Sequence, residues 1–182
     1  MAIVDRGLQA HKTLVRSKSY NEVPQHPSRR SSQHRDVPDS DLHILIVEDN
    51  LVNQRVLAKQ LRNEGMNVAV ANHGGEALEY LRSTRYCKAN GIGKELTLIL
   101  MDWEMPVMNG LQCVENIRKM QGEGEINGHV PVIAVTANVR SEQVEMALQA
   151  GMDDVISKPF RIPELKTCIQ KTLRNVAPAE TG

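Results

Sequence analysis

The sequence predicts an α/β fold built on a doubly wound parallel sheet. Three observations carry this. From His43 onward, short apolar runs alternate with segments of helical period. The pattern yields five strands and five helices over about 130 residues, the scale of one such domain. The 182 residues, 41% hydrophobic and 24% charged, suit one ordinary globular domain with some chain to spare and leave two full domains unlikely.

HILIV, residues 43–47, forms the first strand. Asn50 caps a first helix in which Val52, Val56, Leu57 and Leu61 recur at helical spacing, and Gly65 ends it. NVAV (67–70) is the second strand, followed by a helix carrying Ala77, Leu78 and Leu81. STRYCKANGIGKE (83–95) is longer than a usual connection and reads as a polar excursion. LTLILM (96–101) is the third strand; Pro106 and Asn109 then turn the chain, and Asn109 caps a helix carrying Leu111, Val114 and Ile117. VPVIAV (130–135) precedes a helix that begins near Ser141, carries Val144, Ala147 and Leu148, and stops at Gly151. DVIS (154–157) is the last strand, and Pro163 opens a fifth helix through Leu165, Cys168, Ile169 and Leu173.

Residues 1–41 have a different character. Ser, Pro, His and Arg crowd SKSYNEVPQHPSRRSSQHRDVPDSD, with too little apolar surface to repay ordering, so this stretch is expected to be a disordered tail or linker. Arg29 and Arg30 ahead of Ser32 suit a serine/threonine kinase, but a solvated linker is the simpler reading. The expected domain occupies 42–175, and 176–182 form a short tail after which no effector domain follows.

Lys plus Arg equal Asp plus Glu at 22 each, which removes any global electrostatic reason to expect nucleic acid or an anionic membrane as partner. No apolar run approaches the roughly 20 residues of a membrane helix, and Asp5 and Arg6 interrupt what would be a signal-peptide core. Three widely spaced cysteines, Cys87, Cys113 and Cys168, indicate free thiols in a reducing compartment; a soluble cytoplasmic protein is expected, with the nucleus also open to it.

Function collects at the strand ends. Glu48 and Asp49 follow the first strand, Asp102 the third, Thr136 the fourth and Lys158 the fifth. If the strands are parallel, all five share one rim. One charged residue ending a strand is commonplace, but five together describe a site. Carboxylates at about 4 Å repel by about 1 to 4 kcal/mol per pair, so either a proton is retained or a divalent cation binds. Carboxylate oxygens with water and a backbone carbonyl suit Mg²⁺. With a lysine amine and a hydroxyl beside them, the set describes a phosphoryl site in which one carboxylate can act as nucleophile.

The motifs ILIVEDN, LILMDWEMPVMNG, VIAVTAN and ISKPF, in this order, resemble the receiver domain of two-component response regulators. VANHGGEALEYL and AGMDDVISKPF look most like the receivers of hybrid histidine kinases, particularly fungal ones. The resemblance implies a flavodoxin-like sheet of strand order 2-1-3-4-5. It also implies roles: Asp102 as phosphoacceptor, Asp49, Glu48, Asp102 and the backbone carbonyl of Glu104 as Mg²⁺ ligands, and Lys158, Thr136 and the amide of Ala137 as phosphoryl partners. The donor would be a histidine phosphotransfer protein or a histidine kinase, and the bond before Pro159 would be cis. Asn109 departs from the aspartate more usual there, and an amide caps as well. Val155 stands where the family usually has Tyr or Phe, which points to a phosphate relay or sink more than a conformational output device.

Two other functions compete. A haloacid dehalogenase-type phosphatase also uses a strand-end aspartate, Mg²⁺, a hydroxyl and a lysine, but Glu104 stands where its second aspartate belongs, and Glu48 and Asp49 precede the nucleophile. A pseudo-receiver acting only as an interaction module is disfavoured by the complete acidic and basic set. His73 reads as a loop or helix-entry residue and not a phosphodonor, since no helical histidine motif surrounds it; His43 and His129 lack ligand partners at metal spacing, and Gly74 and Gly75 do not make a nucleotide loop.

Overall fold

Apolar runs without alternation bury both faces, and a parallel sheet between helices is how such strands are accommodated. A computed structural model describes residues 36–89, 93–137 and 140–176. Its strands are β1 (His43–Val47), β2 (Asn67–Ala71), β3 (Leu98–Asp102), β4 (Val132–Thr136) and β5 (Asp154–Ser157). Its helices are α1 (Leu51–Asn63), α2 (Gly74–Arg82), α3 (Gly110–Gly122), α4 (Ser141–Gln149) and α5 (Ile162–Val176). The strands form one parallel sheet in the order β2-β1-β3-β4-β5, as the resemblance implied.

Strand side chains alternate faces, which divides the core in two. Leu45, Val47, Ile99, Met101, Val132 and Ala134 face α2, α3 and α4, while Ile44, Ile46, Leu98, Leu100, Ile133 and Val135 face α1 and α5. The third and fourth strands lie further along than the sequence runs suggest. They include Asp102 and Thr136 as their last residues and exclude the leading Leu96 and Val130.

Caps match the sequence closely. The Asn50 side chain accepts from the amides of Val52 and Asn53, and Asn109 forms a reciprocal capping box with Gln112. The orientation of α1 does not match. Val52 and Val56, expected on the buried stripe, are 69% and 52% exposed, whereas Gln54 is buried with Ala58 and Leu61. Residues two apart on a helix point about 200° from each other, so turning Gln54 inward sends both valines outward. Gln54 is drawn in because its Nε2 lies 3.0 Å from the Glu48 carbonyl, 3.2 Å from the Ala71 carbonyl and 3.1 Å from Asn72 Oδ1, closing the gap between the ends of β1 and β2. Leu148 of α4 is likewise exposed where the periodicity placed it inside.

The polar excursion after α2 is tied down by the connection between α3 and β4. Asn127 donates to the Tyr86 carbonyl at 2.7 Å and Lys88 to the Glu125 carbonyl at 3.1 Å. At the other terminus, residues 36–41, expected on the tail side of the boundary, run along α5. Val37 and Gln170 exchange two hydrogen bonds, at 2.9 and 2.7 Å, and Asp39 and Asp36 pair with Lys166 and Arg174. The rest of the expected tail, with Arg29, Arg30 and Ser32, and residues 177–182 lie outside the described residues. No helix among the described residues is long and apolar enough to cross a membrane.

Gly110, the first residue of α3, sits hard against the strand that carries Asp102. A Cβ there would lie 2.4 Å from the Asp102 carbonyl oxygen, closer than backbone tolerates. Gly110→Ala is therefore expected to cost about 1–3 kcal/mol through forced displacement, read from the denaturant midpoint at unchanged m-value.

Candidate functional site

Parallel strands all end at the same edge, so the register decides which residues meet there. Asp102 closes β3 opposite Val135, and Thr136 closes β4 opposite Ser157. Glu48 and Asp49 follow Val47 directly. Lys158 follows Ser157, and its amide extends the ladder by one bond, 2.7 Å to the Thr136 carbonyl. The Lys158–Pro159 bond is cis.

One carboxylate oxygen each from Glu48, Asp49 and Asp102 lie within 4.8 Å of one another, the sole such cluster among the described residues. Lys158 Nζ reaches past β4 to sit 2.8 Å from Asp102 Oδ2 at the end of β3 and 2.7 Å from Glu48 Oε2 beyond the end of β1. The Glu48 and Asp102 side chains are 8% and 13% exposed and Lys158 28%, while Asp49 faces solvent. Three negative charges against one lysine leave two uncompensated, which a divalent cation matches. All the donors are hard oxygens of the kind Mg²⁺ takes, so the residues present fit the ion.

Charge is distributed unevenly among these groups. Burial alone would raise the pKa of Glu48, but hydrogen bonds from Lys158 and Asn53 outweigh it and hold the carboxyl below its ordinary range. Asp102 goes the other way: burial raises it, the negative Glu48 adds to the rise, and Lys158 only partly opposes. For Lys158 the desolvation that would lower its pKa is overcome by Asp102 and Glu48, which hold the ammonium form. Two carboxylates sharing one lysine are thus driven apart, Glu48 firmly ionised and Asp102 the more readily protonated.

The other expected residues fall where the strand ends put them. Thr136 is buried, Ala137 emerges exposed directly after it, and Glu104 is exposed in the loop after β3. Val155 is half-buried against the core under α2, α3 and α4. His73 and His129 make structural contacts. His73 caps α2 by accepting from the Glu76 amide, and His129 pairs at 2.6 Å with Asp153, which also holds Arg118 and the Val132 amide.

Two contributors, and one strained residue in the loop after β3, are not foreseen from the sequence. Asn53 donates to Glu48 Oε1 at 3.2 Å, and Gln54 holds the Glu48 carbonyl. The spacing Gln54, Ala58, Leu61 is itself a helical stripe, and it was the signal available. The strained residue is Val107, whose φ of 68° places a β-branched residue in the left-handed region, where the Met108 amide donates to the Pro106 carbonyl at 2.8 Å in a strained three-residue turn. Nothing in valine's own preferences announces that conformation.

The response regulator receiver domain family model matches residues 44–170. Hybrid signal transduction histidine kinase K of Dictyostelium discoideum is 33% identical over 147 residues, covering 79% of this chain but only 11% of that protein, so the chain spans about a tenth of its length. Among solved structures, the receiver domain of sensor histidine kinase PA1611 from Pseudomonas aeruginosa, with a magnesium ion coordinated in its active site cleft, is 34% identical with a TM-score of 0.60. That match covers 73% of this chain and 98% of that one. The receiver domain of the Saccharomyces cerevisiae response regulator Ssk1, co-crystallised with the histidine phosphotransfer protein Ypd1, aligns with a TM-score of 0.64 at 26% identity, covering 77% and 94% of the two chains. The chain belongs to the response regulator receiver domain family.

Two outcomes follow from this geometry. Asp102 has a folded-state pKa above its unfolded value, so its ionisation penalises the native state above the folded pKa and the penalty vanishes below the unfolded one. In metal-free protein, Asp102→Asn should raise the thermal midpoint at neutral pH, by about 2–4 °C for each kcal/mol released in a chain of this size, and the gain should disappear once the pH falls below the ordinary aspartate range. Val107→Gly, which removes the clash of a β-branched Cβ at positive φ and loses only an 87% exposed side chain, should stabilise the protein by about 1 kcal/mol in equilibrium denaturation.

Proposed function

We propose that this domain accepts a phosphoryl group from a phosphohistidine on a partner protein onto Asp102 and passes it on or loses it by slow hydrolysis. The observation that carries the reading is the placement of Asp102 beside two further carboxylates and a lysine amine at one rim of the sheet. An isolated carboxylate is a poor nucleophile toward a phosphoryl group carrying negative charge. Here Lys158 offsets part of that charge where the new bond forms.

Glu48, Asp49, Asp102 and the backbone carbonyl of Glu104 would hold Mg²⁺, which neutralises the charge that develops on the phosphoryl oxygens. The family match and the magnesium-bearing relative support this assignment. Asp102 supplies the electron pair that forms the new O–P bond; the P–N bond to the donor histidine breaks, and the imidazole keeps its electrons and takes a proton from solvent. Lys158 remains paired with the transferred group, and Thr136 and the Ala137 amide donate to its oxygens. The product is an acyl phosphate on Asp102. The chain's own chemistry goes no further than acquiring and losing that group, which makes it a phosphoacceptor signalling domain and not a turnover enzyme.

The partner is a histidine phosphotransfer protein or a histidine kinase, a reading supported by the Ypd1 complex of the related receiver and by the histidine kinases among its relatives. Leu51 and Val52 begin α1 directly beside Glu48 and Asp49, and with Val56 they leave an apolar surface exposed next to the acidic rim. A partner that must exclude water from the transferring phosphoryl group finds such a surface there. Val155 supports a relay role, because a valine has no aromatic ring to swing when Thr136 engages phosphate. Three free cysteines agree with a cytoplasmic setting.

Incubation with acetyl phosphate and Mg²⁺, or with a phosphorylated histidine phosphotransfer protein, should add one phosphate to the intact mass. Asp102→Asn should abolish the addition, and a chelator should suppress it. Phosphate uptake that survives Asp102→Asn would place the acceptor elsewhere and end this reading.

A further inference from the structure

Glu48 is the most enclosed of the three carboxylates, and its two oxygens are held from opposite sides. Lys158 takes Oε2 at 2.7 Å; Asn53 Nδ2 takes Oε1 at 3.2 Å. We propose that Asn53 is a positioning residue for the acidic centre, a neutral clamp that fixes the Glu48 carboxylate for a divalent cation without adding positive charge. The proposal rests on the cation reading given above.

Asn53 is well placed to be rigid. It stands in the first turn of α1, where its own amide donates to the capping Asn50 Oδ1 at 3.2 Å. Its neighbour Gln54 bonds the main chain of the same glutamate, Nε2 to the Glu48 carbonyl at 3.0 Å. Two successive amide side chains therefore grip one residue, one by its carboxylate and the other by its backbone. Gln54 also reaches Asn72, whose amide and side chain donate to Glu76 Oε2 at 2.8 and 2.9 Å, so the grip is anchored to the start of α2.

The chemical type of the clamp matters as much as its position. With three carboxylates and one lysine the centre keeps two negative charges for a cation. A lysine or arginine at position 53 would orient Glu48 equally well by hydrogen bonding but would cancel one of those charges. An amide donates a hydrogen bond and leaves the charge in place. Groups that orient a metal ligand from behind typically govern affinity by about 10–100-fold.

The test is calorimetric titration of Mg²⁺ into the purified chain, with wild type, Asn53→Leu and Asn53→Lys compared and thermal midpoints recorded without metal. Leucine matches asparagine in size, and position 53 is exposed, so Asn53→Leu should fold normally. Its Mg²⁺ affinity should fall about tenfold at an unchanged midpoint. Asn53→Lys should bind Mg²⁺ more weakly still, because it cancels one of the charges the cation needs; a loss of affinity in Asn53→Leu at an unchanged midpoint is what a purely structural role would not produce. Equal affinity in wild type and Asn53→Leu would overturn the role of Asn53 while leaving the cation reading intact. Wild-type protein that takes up no Mg²⁺ would overturn the cation reading itself, and Asp49→Asn supplies the control for a lost ligand.

Discussion

Like charges brought together on purpose have to be held there. Glu48, Asp49 and Asp102 would separate if their strands were free to slide, since each pair at this range repels by about 1 to 4 kcal/mol. The sheet prevents it. Backbone ladders fix β1 beside β3 and β3 beside β4 residue by residue, and a buried hydrophobic layer on each face makes any slip of register break the packing of both layers and draw strand-end polar residues toward the core. The acidic centre is an electrostatic load carried by the core beneath it, and Lys158, brought from the far side of the sheet by β5, relieves only part of it.

The parts of the molecule that look irregular surround that load. Gln54 is a polar residue on a stripe that should be apolar, and it is there to stitch the ends of β1 and β2 together. Val107 adopts a backbone conformation its side chain disfavours, in the loop that leads from Asp102 to α3. Gly110 lets the start of α3 approach the Asp102 carbonyl, where a side chain would collide. Each departs from what its segment would otherwise prefer, and such departures collect where geometry is dictated by chemistry.

Away from the rim, the additions to the basic fold are stabilising contacts of ordinary kind. The excursion after α2 borrows hydrogen-bond partners from the connection between α3 and β4. Residues 36–41 lay three of their groups onto Lys166, Gln170 and Arg174, a stripe with four-residue spacing along the outside of α5. Residues 36–41, ahead of β1, thus run along α5. Val155 packs beneath the opposite layer, where it adds apolar bulk to the core under α2, α3 and α4.

Much was legible in the residues alone. Among the described residues, period and punctuation found the five strands and five α-helices but not the short 3-10 turn at Asp39–Asp41, because strand runs and helix caps are local properties: Asn50, Asn109 and Gly65 act on their immediate neighbours. The strand-end acids, Thr136 and Lys158 were legible for a related reason, since a polar residue closing a buried run marks where a strand meets solvent. What the sequence could not determine was anything decided by partners distant along the chain. The inward turn of Gln54 depends on carbonyls of two different strands, the clamp of Asn53 on Glu48 depends on the angle at which α1 leaves β1, and the attachment of residues 36–41 depends on a helix more than a hundred residues later. Tertiary structure settled these because each is a hydrogen bond whose donor and acceptor become neighbours only once the sheet has closed its register.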